Sequence, residues 1–100
     1  MPTEMTFFAR FHVRAGCEPA MIAALAAVRD PTRAEPGCRA YQSYQSIADP
    51  RLFCIQSTWT SEADFDRHAT LDHTTRFIAR AEDLADTPPD FLRTRALPPA

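Results

Sequence analysis

Apolar and polar residues alternate along three stretches of the chain, and a period of two is typical of β-strands that bury one face. In residues 6–13 (TFFARFHV), Phe7, Ala9, Phe11 and Val13 share one face of the predicted strand. Residues 38–47 and 52–60 alternate in the same way, and only a short stretch with turn composition, 48–51, separates them. The pattern therefore predicts a first strand and, further along the chain, an antiparallel hairpin.

Apolar residues recur at helical spacing between the first strand and the hairpin. The apolar positions run from Met21 to Val28, and Pro19 before them suits a first helical turn. Pro31 should end or kink this helix near Asp30, because proline lacks the N–H that an internal helical position donates. Residues 36–37, a Pro-Gly pair, should end it completely.

A second helical region follows the hairpin. Ser61 and Asp64 have the spacing of a capping box, which predicts a helix start at Ser61. A break at residues 70–72 should separate this helix from another one, marked by apolar positions between Phe77 and Leu84. Residues 91–97 (FLRTRAL) then predict a fourth strand.

The predicted order of elements is β-α-β-β-α-β, which is the ferredoxin-like α+β fold: a four-stranded antiparallel sheet with helices on one face. We expect one domain spanning residues 1–100. The opposite face of the sheet would carry Phe8, Tyr44 and Cys54, and no further chain is left to cover them. We therefore expect a homodimer that pairs these open sheet faces.

Composition excludes several classes of function. The formal net charge is −2, so no basic field is available to hold nucleic acid or an anionic membrane. The chain has no lysine and only two glycines, which excludes Schiff-base chemistry, a P-loop and a dinucleotide fingerprint. Three cysteines without CxxC spacing predict reduced thiols and disfavour a zinc site. With no leader pattern and no apolar run of about 20 residues, we expect a cytoplasmic protein.

Several ordered pieces of the sequence resemble one family. They are residues 33–38 (RAEPGC), Tyr41, residues 45–46 and 49–51, Phe53, Trp59, residues 61–65, His68, His73 and Phe77. In this order and spacing they resemble the antibiotic biosynthesis monooxygenase family, in particular its quinol monooxygenase-like members in the dimeric α/β-barrel superfamily. The resemblance covers about residues 7–78.

The resemblance implies a cofactor-independent monooxygenase that acts with O2 on a phenolic, quinol or polycyclic aromatic substrate. Such an enzyme needs no flavin, haem or metal, so no cofactor is expected. Two departures from the family pattern stand out. Ser57 occupies a position that is commonly acidic in the family, and the chain lacks the asparagine that haem-degrading relatives use.

His68 and Trp59 are the predicted catalytic residues. By spacing alone, either side chain could simply fill the core, but the resemblance places both in the pocket. An imidazole can take a phenolic proton near neutral pH, and an indole N–H could hold a substrate oxygen. The predicted substrate-binding residues are Phe11, Tyr41, Ile55, Phe65, His73 and Phe77.

His73 leaves two alternatives open. It follows His68 by five residues, so the two do not share a face of one continuous helix and do not form a metal-binding pair. His73 either caps the second helix at the surface, or the break before it turns the side chain back toward the pocket mouth.

Other functions compete with the monooxygenase hypothesis. A non-catalytic dimeric small-molecule-binding or stress-response module could have the same fold, and aromatic side chains packed without a cavity would favour it. Haem degradation is disfavoured by the missing asparagine. RNA binding is disfavoured by the charge and by a third strand without the glycine and aromatic pattern of RNA-binding sheets.

Overall fold

A four-stranded antiparallel sheet, in the order β2-β3-β1-β4, carries three helices in the computed structural model. The elements are β1 (Met5–His12), α1 (Glu18–Arg33), β2 (Cys38–Gln45), β3 (Leu52–Trp59), α2 (Glu62–Thr70), α3 (Asp72–Leu84) and β4 (Asp90–Thr94). This arrangement confirms the predicted ferredoxin-like α+β fold. The structure describes residues 3–99, so Met1, Pro2 and Ala100 of the predicted domain lie outside the described residues.

The core lies between the sheet and the helices, as the alternation predicted. In the two central strands, β1 and β3, alternate side chains lie on the core face; most of them, including Phe11, Phe53 and Trp59, are buried, and Phe7 is half-buried. Met21 of α1 is wholly buried against them, and the helical spacing from Met21 to Val28 is confirmed by burial. Among residues 3–99, no helix combines the length and the apolar character that a membrane crossing requires.

Helix α1 corrects one prediction. Pro31 was predicted to end or kink the helix near Asp30; the helix does not end there and continues through Pro31 to Arg33. Pro31 removes one backbone donor, but the backbone N–H of Ala34 still bonds to the Asp30 carbonyl at 3.1 Å. Thr32 is fully buried, so this last turn packs against the rest of the protein although proline leaves one helical hydrogen bond unmade.

The strand ends differ from the sequence prediction at the edges of the sheet. Strand β4 ends at Thr94, whereas residues 91–97 were predicted to be extended. Thr94 is paired with Thr6, and β1 begins only one residue earlier, so residues after Thr94 have almost no strand to pair with. Leu97 is accordingly 88% exposed. Strand β2 likewise ends at Gln45, before the predicted residue 47.

The break between α2 and α3 is confirmed at Leu71. Its extended backbone (ψ 152°) ends α2 and precedes the first residue of α3. The predicted helix start is also confirmed, because the Ser61 side chain accepts a hydrogen bond from the Asp64 backbone N–H at 3.2 Å. The Asp64 carboxylate bonds to Thr60 and Arg67 instead of completing the capping box. These two features orient the face of α2 that carries the candidate site.

Candidate active site

A cavity of about 360 Å³ lies between the inner face of the sheet and the helices. Five of the six predicted substrate-binding residues line it, and so does His68; the five are Phe11, Tyr41, Ile55, Phe65 and Phe77. The aromatic side chains therefore surround a space and do not fill it. Its volume is at the lower end of the range for small-molecule sites, which suits one small aromatic ligand.

His68 is held by a buried carboxylate. It lies on α2 one turn after Phe65, and both side chains are buried against the sheet. The Nδ1 atom of His68 is 2.7 Å from Oε2 of Glu35, whose side chain is only 9% exposed. The Thr74 hydroxyl lies 3.1 Å from the same nitrogen. Because an ionised carboxylate can only accept, we assign the proton to Nδ1, which leaves the Nε2 lone pair for a ligand.

The electrostatic environment keeps this imidazole neutral. Burial lowers the pKa of His68 below its ordinary value of 6.5, the hydrogen bond and charge of Glu35 raise it, and the charge of His73 lowers it; the net direction is downward. No described residue between 3 and 99 hydrogen-bonds to Nε2. His68 therefore presents an unprotonated nitrogen at neutral pH, as a general base must.

Trp59 lies behind His68 and does not line the cavity. The indole is fully buried, its ring centroid is 4.5 Å from that of His68, and the two rings are tilted by 35°. Its N–H donates to the Ser57 hydroxyl at 3.0 Å. Residues i and i+2 of a strand share a face, so Ser57 is within reach of the indole. The expected contact between this N–H and a substrate oxygen is therefore replaced by a contact with Ser57.

His73 turns back toward the site and does not cap α3 at the surface. Its Nε2 atom is 2.7 Å from the Glu35 oxygen that also bonds His68, and it lies outside the cavity wall. Leu71 makes this possible, since the change of direction there brings the start of α3 back over α2. The side chain turns inward as in the second alternative, but it contacts Glu35 and does not line the cavity, so the structure shows no contact that would support substrate binding by His73.

Glu35 is the functional residue that sequence reasoning missed. It follows α1 and lies 33 residues before His68, so no local spacing connects the two. The available signal was its place in the stretch 33–38 that carries the family resemblance.

Glu35, His68 and His73 together offer ligand atoms of the kind that bind zinc or iron. Nitrogen atoms of His68 and His73 and a carboxylate oxygen of Glu35 lie within 4.8 Å of one another. Metal bonds of 2.0–2.1 Å in tetrahedral geometry would hold such atoms about 3.3 Å apart. Both N···O distances are 2.7 Å, the spacing of direct hydrogen bonds. The geometry therefore fits mutual hydrogen bonding better than a metal centre.

A second histidine cluster lies outside this cavity. His12, at the end of β1, bonds to Asp86 through Nδ1 at 2.7 Å and to Asp49 through Nε2 at 2.8 Å. Arg51 bonds to the second oxygen of Asp86 at 2.6 Å. These hydrogen bonds, with both Asp86 and Asp49, raise the pKa of His12. The cluster ties three chain segments together, and we assign it no catalytic role.

Comparison with known proteins points to one family. The family model described as antibiotic biosynthesis monooxygenase matches residues 5–80. A Mycobacterium tuberculosis protein named "Putative monooxygenase Rv0793" is 33% identical over 88 residues, which are 88% of this chain and 86% of that protein.

Solved structures agree with the sequence match. The structure of Rv0793 superposes with a TM-score of 0.90 at 29% identity, covering 97% of this chain and 98% of the other. The structure of PA3566 from Pseudomonas aeruginosa gives a TM-score of 0.89 at 30% identity, covering 98% of both chains. Most of the sequence matches the family model, and nearly the whole fold matches these relatives. This chain belongs to the antibiotic biosynthesis monooxygenase family.

Proposed function

We propose that this protein is a cofactor-independent monooxygenase that oxidises a small phenol or quinol with O2. The observation that carries the proposal is the neutral imidazole of His68, fixed by Glu35 at the wall of an aromatic cavity. The family names support monooxygenase chemistry in general. The substrate class and the role of each residue are inferred from the chemistry of the site.

The first step is proton transfer. A substrate hydroxyl in the cavity gives its proton to Nε2 of His68, while Nδ1–H remains bonded to Glu35. The buried carboxylate stabilises the imidazolium that forms and fixes the tautomer. Trp59 and Thr74 hold the ring from two sides and are positioning residues in this scheme.

The substrate anion then supplies all the electrons. It passes one electron to O2, and the resulting radical pair combines to form a carbon–oxygen bond and a peroxide. Cleavage of the O–O bond leaves one oxygen on the ring, and the other leaves as water with a proton returned by His68. For a hydroquinone, one quinol and one O2 give one hydroxyquinone and one water. The four electrons that O2 accepts come from the quinol, so the balance requires no external reductant.

The aromatic wall orients the ring and excludes water. Phe11 and Phe77 pack edge to face with centroids 5.6 Å apart, and Phe7 and Phe65 lie 4.4 Å apart. Such a wall binds a flat aromatic molecule by its faces and edges. A largely dry cavity also limits side reactions of the peroxide.

We also propose that the protein works as a homodimer that pairs the open faces of two sheets. Exposed apolar side chains on the face opposite the helices support this proposal.

O2 uptake with a panel of quinols and anthrones tests the proposed reaction. His68→Ala should lower kcat/KM by roughly 10²- to 10⁴-fold, the range for losing a general base, with a much smaller effect on stability. Trp59→Phe keeps an aromatic ring beside His68 but loses the N–H that bonds to Ser57, and it should weaken activity only modestly. Exhaustive treatment with a chelator should leave the parental rate unchanged. If the parent consumed no O2 with any phenol tried, the monooxygenase proposal would be wrong. The alternative, a non-catalytic binding module of the same fold, would then be favoured.

A further inference from the structure

The cavity wall contains a hydroxyl that the proposed reaction does not use. Thr32, on the last turn of α1, is fully buried and lines the cavity. Its Oγ1 atom has no hydrogen-bond partner within the described part of the chain. A threonine on a helix commonly bonds back to the carbonyl one turn earlier, and Thr32 does not.

An unpartnered buried hydroxyl is costly. Such a group loses its bonds to bulk water on folding and gains nothing in return, whereas valine would fill the same volume without that penalty. Buried polar atoms in native proteins nearly always have a partner. Because Thr32 is one of the residues that line the cavity, a group of the bound ligand can supply the missing partner.

A second hydroxyl in the same wall has spare capacity. Ser57 is 2% exposed, and its oxygen accepts the Trp59 N–H, but its own O–H has no acceptor within residues 3–99. Thr32 and Ser57 thus add unused hydrogen-bonding capacity to a wall that also carries the Tyr41 and Thr74 hydroxyls and the free nitrogen of His68. A ligand with a single hydroxyl would satisfy His68 and leave Thr32 unpaired.

We infer that Thr32 is a specificity-determining residue that hydrogen-bonds a second oxygen of the substrate. This inference rests on the proposed function and narrows its substrate class. The substrate is a hydroquinone-type aromatic with two ring oxygens, one held by His68 and the other by Thr32. A monophenol of the same ring system binds more weakly, because a site built to pair a hydroxyl disfavours the analogue that lacks it.

Anaerobic binding measurements test the inference without requiring turnover. The probes are 1,4-dihydroxynaphthalene and 1-naphthol, which share a ring system and differ by one oxygen. Calorimetry on the parent should give about tenfold tighter binding of the diol, the effect of one buried hydrogen bond. Thr32→Val should bring the two affinities close together by weakening the diol alone. Thr32→Ser retains the hydroxyl and should keep the preference.

Thermal unfolding without ligand provides a second measurement. Thr32→Val should be at least as stable as the parent, because it removes an unpaired hydroxyl at constant volume. A clear loss of stability would show that the hydroxyl is needed by the fold itself and would overturn the inference. An unchanged diol preference in Thr32→Val would overturn it as well.

The outcomes separate this inference from the proposed reaction. If Thr32→Val keeps the diol preference and the parent consumes O2 with quinols, only the role of Thr32 is wrong. If the preference for the diol depends on Thr32 but no quinol is oxidised, the role of Thr32 in binding is supported and the proposed monooxygenase reaction is contradicted. If neither naphthalene compound binds the parent, the inferred role of Thr32 is wrong, and the O2-uptake panel alone decides the proposed reaction.

Discussion

The pair of Glu35 and His68 is the most informative feature at the scale of single residues. Burial and the charge of His73 lower the pKa of His68, the hydrogen bond and charge of Glu35 raise it, and the net shift is downward. The proposed enzyme should therefore gain rate as pH rises through the lowered pKa of His68.

His68 also makes the free energy of unfolding depend on pH. Its neutral form is favoured in the folded state, so this contribution is present above about pH 6.5 and is lost as pH falls toward the lowered folded pKa.

Glu35→Gln tests the coupling between the two residues. Glutamine keeps the size and one acceptor oxygen but removes the charge that stabilises the imidazolium. We expect kcat/KM to fall by about 10- to 100-fold, the usual effect of losing a partner that orients a functional histidine. The rise of rate with pH should move to lower pH, because the group that raises the His68 pKa is gone. NMR titration of the histidine and the pH–rate profile measure both effects.

His73→Gln is the matched control, since it removes the other histidine on Glu35 and leaves the bond between Glu35 and His68 in place. It should reduce activity far less than Glu35→Gln. Equal losses in both variants would contradict the assignment of Glu35 as the partner that matters to His68.

Sequence reasoning at this scale succeeded where a side chain's role follows from its own element. His68 and the aromatic lining were predicted from helical and strand periods together with the family resemblance. Glu35 was not predicted, because its contact with His68 joins a loop after α1 to α2. The hydrogen bond of Trp59 to Ser57 was predictable in principle, since both lie on one face of β3.

At the scale of elements, the ends of strands and helices were harder to predict than their periods. Strand β4 ends at Thr94, because β1 begins only one residue before the partner of Thr94 and offers almost nothing more to pair with. Helix α1 passes through Pro31 because its last turn is buried. Both ends depend on contacts with neighbouring elements, and the pattern of residues within one element carries no information about those contacts. The break at Leu71 was predictable because the helical period itself stops there.

The cluster of His12, Asp49 and Asp86 links three element ends, and it makes a prediction about pH and stability. The two carboxylates raise the pKa of His12, so the folded state favours its charged form. This contribution is fully present below about pH 6.5 and is lost as pH rises through the raised folded pKa. His12→Gln should therefore destabilise the protein more at about pH 5, where both aspartates remain ionised, than at about pH 9.

Denaturant unfolding of parent and His12→Gln at both pH values measures the difference. His73→Gln serves as a control that removes a histidine outside this cluster. A loss of stability that is the same at both pH values would mean that the charge of His12 does not contribute.

At the scale of the whole molecule, the two faces of the sheet differ sharply. The inner face carries the core and the cavity, whereas the outer face leaves large apolar side chains in contact with solvent. Phe8, Tyr44 and Leu92 are 38%, 51% and 57% exposed. The strand register puts Phe8 beside Leu92 and Tyr44 beside Cys54, all on this face. Exposed apolar groups arranged across a sheet are typical of an interface.

Sedimentation at micromolar concentration should therefore show a dimer of the parent protein. Tyr44→Arg should abolish that dimer and give monomers or aggregates, because the introduced charge would be buried at the interface, in the same cross-strand row as Cys54 and the existing Arg10, and its direct neighbour Cys54 has no carboxylate to pair with it. Ile47→Arg is the control: Ile47 is an apolar side chain that is fully exposed, and it lies in the loop between β2 and β3, outside the strands that form the sheet face. That variant should sediment as the parent does. A stable parental monomer at this concentration, or equal disruption by both substitutions, would contradict pairing through the sheet and leave the outer face without a role in assembly.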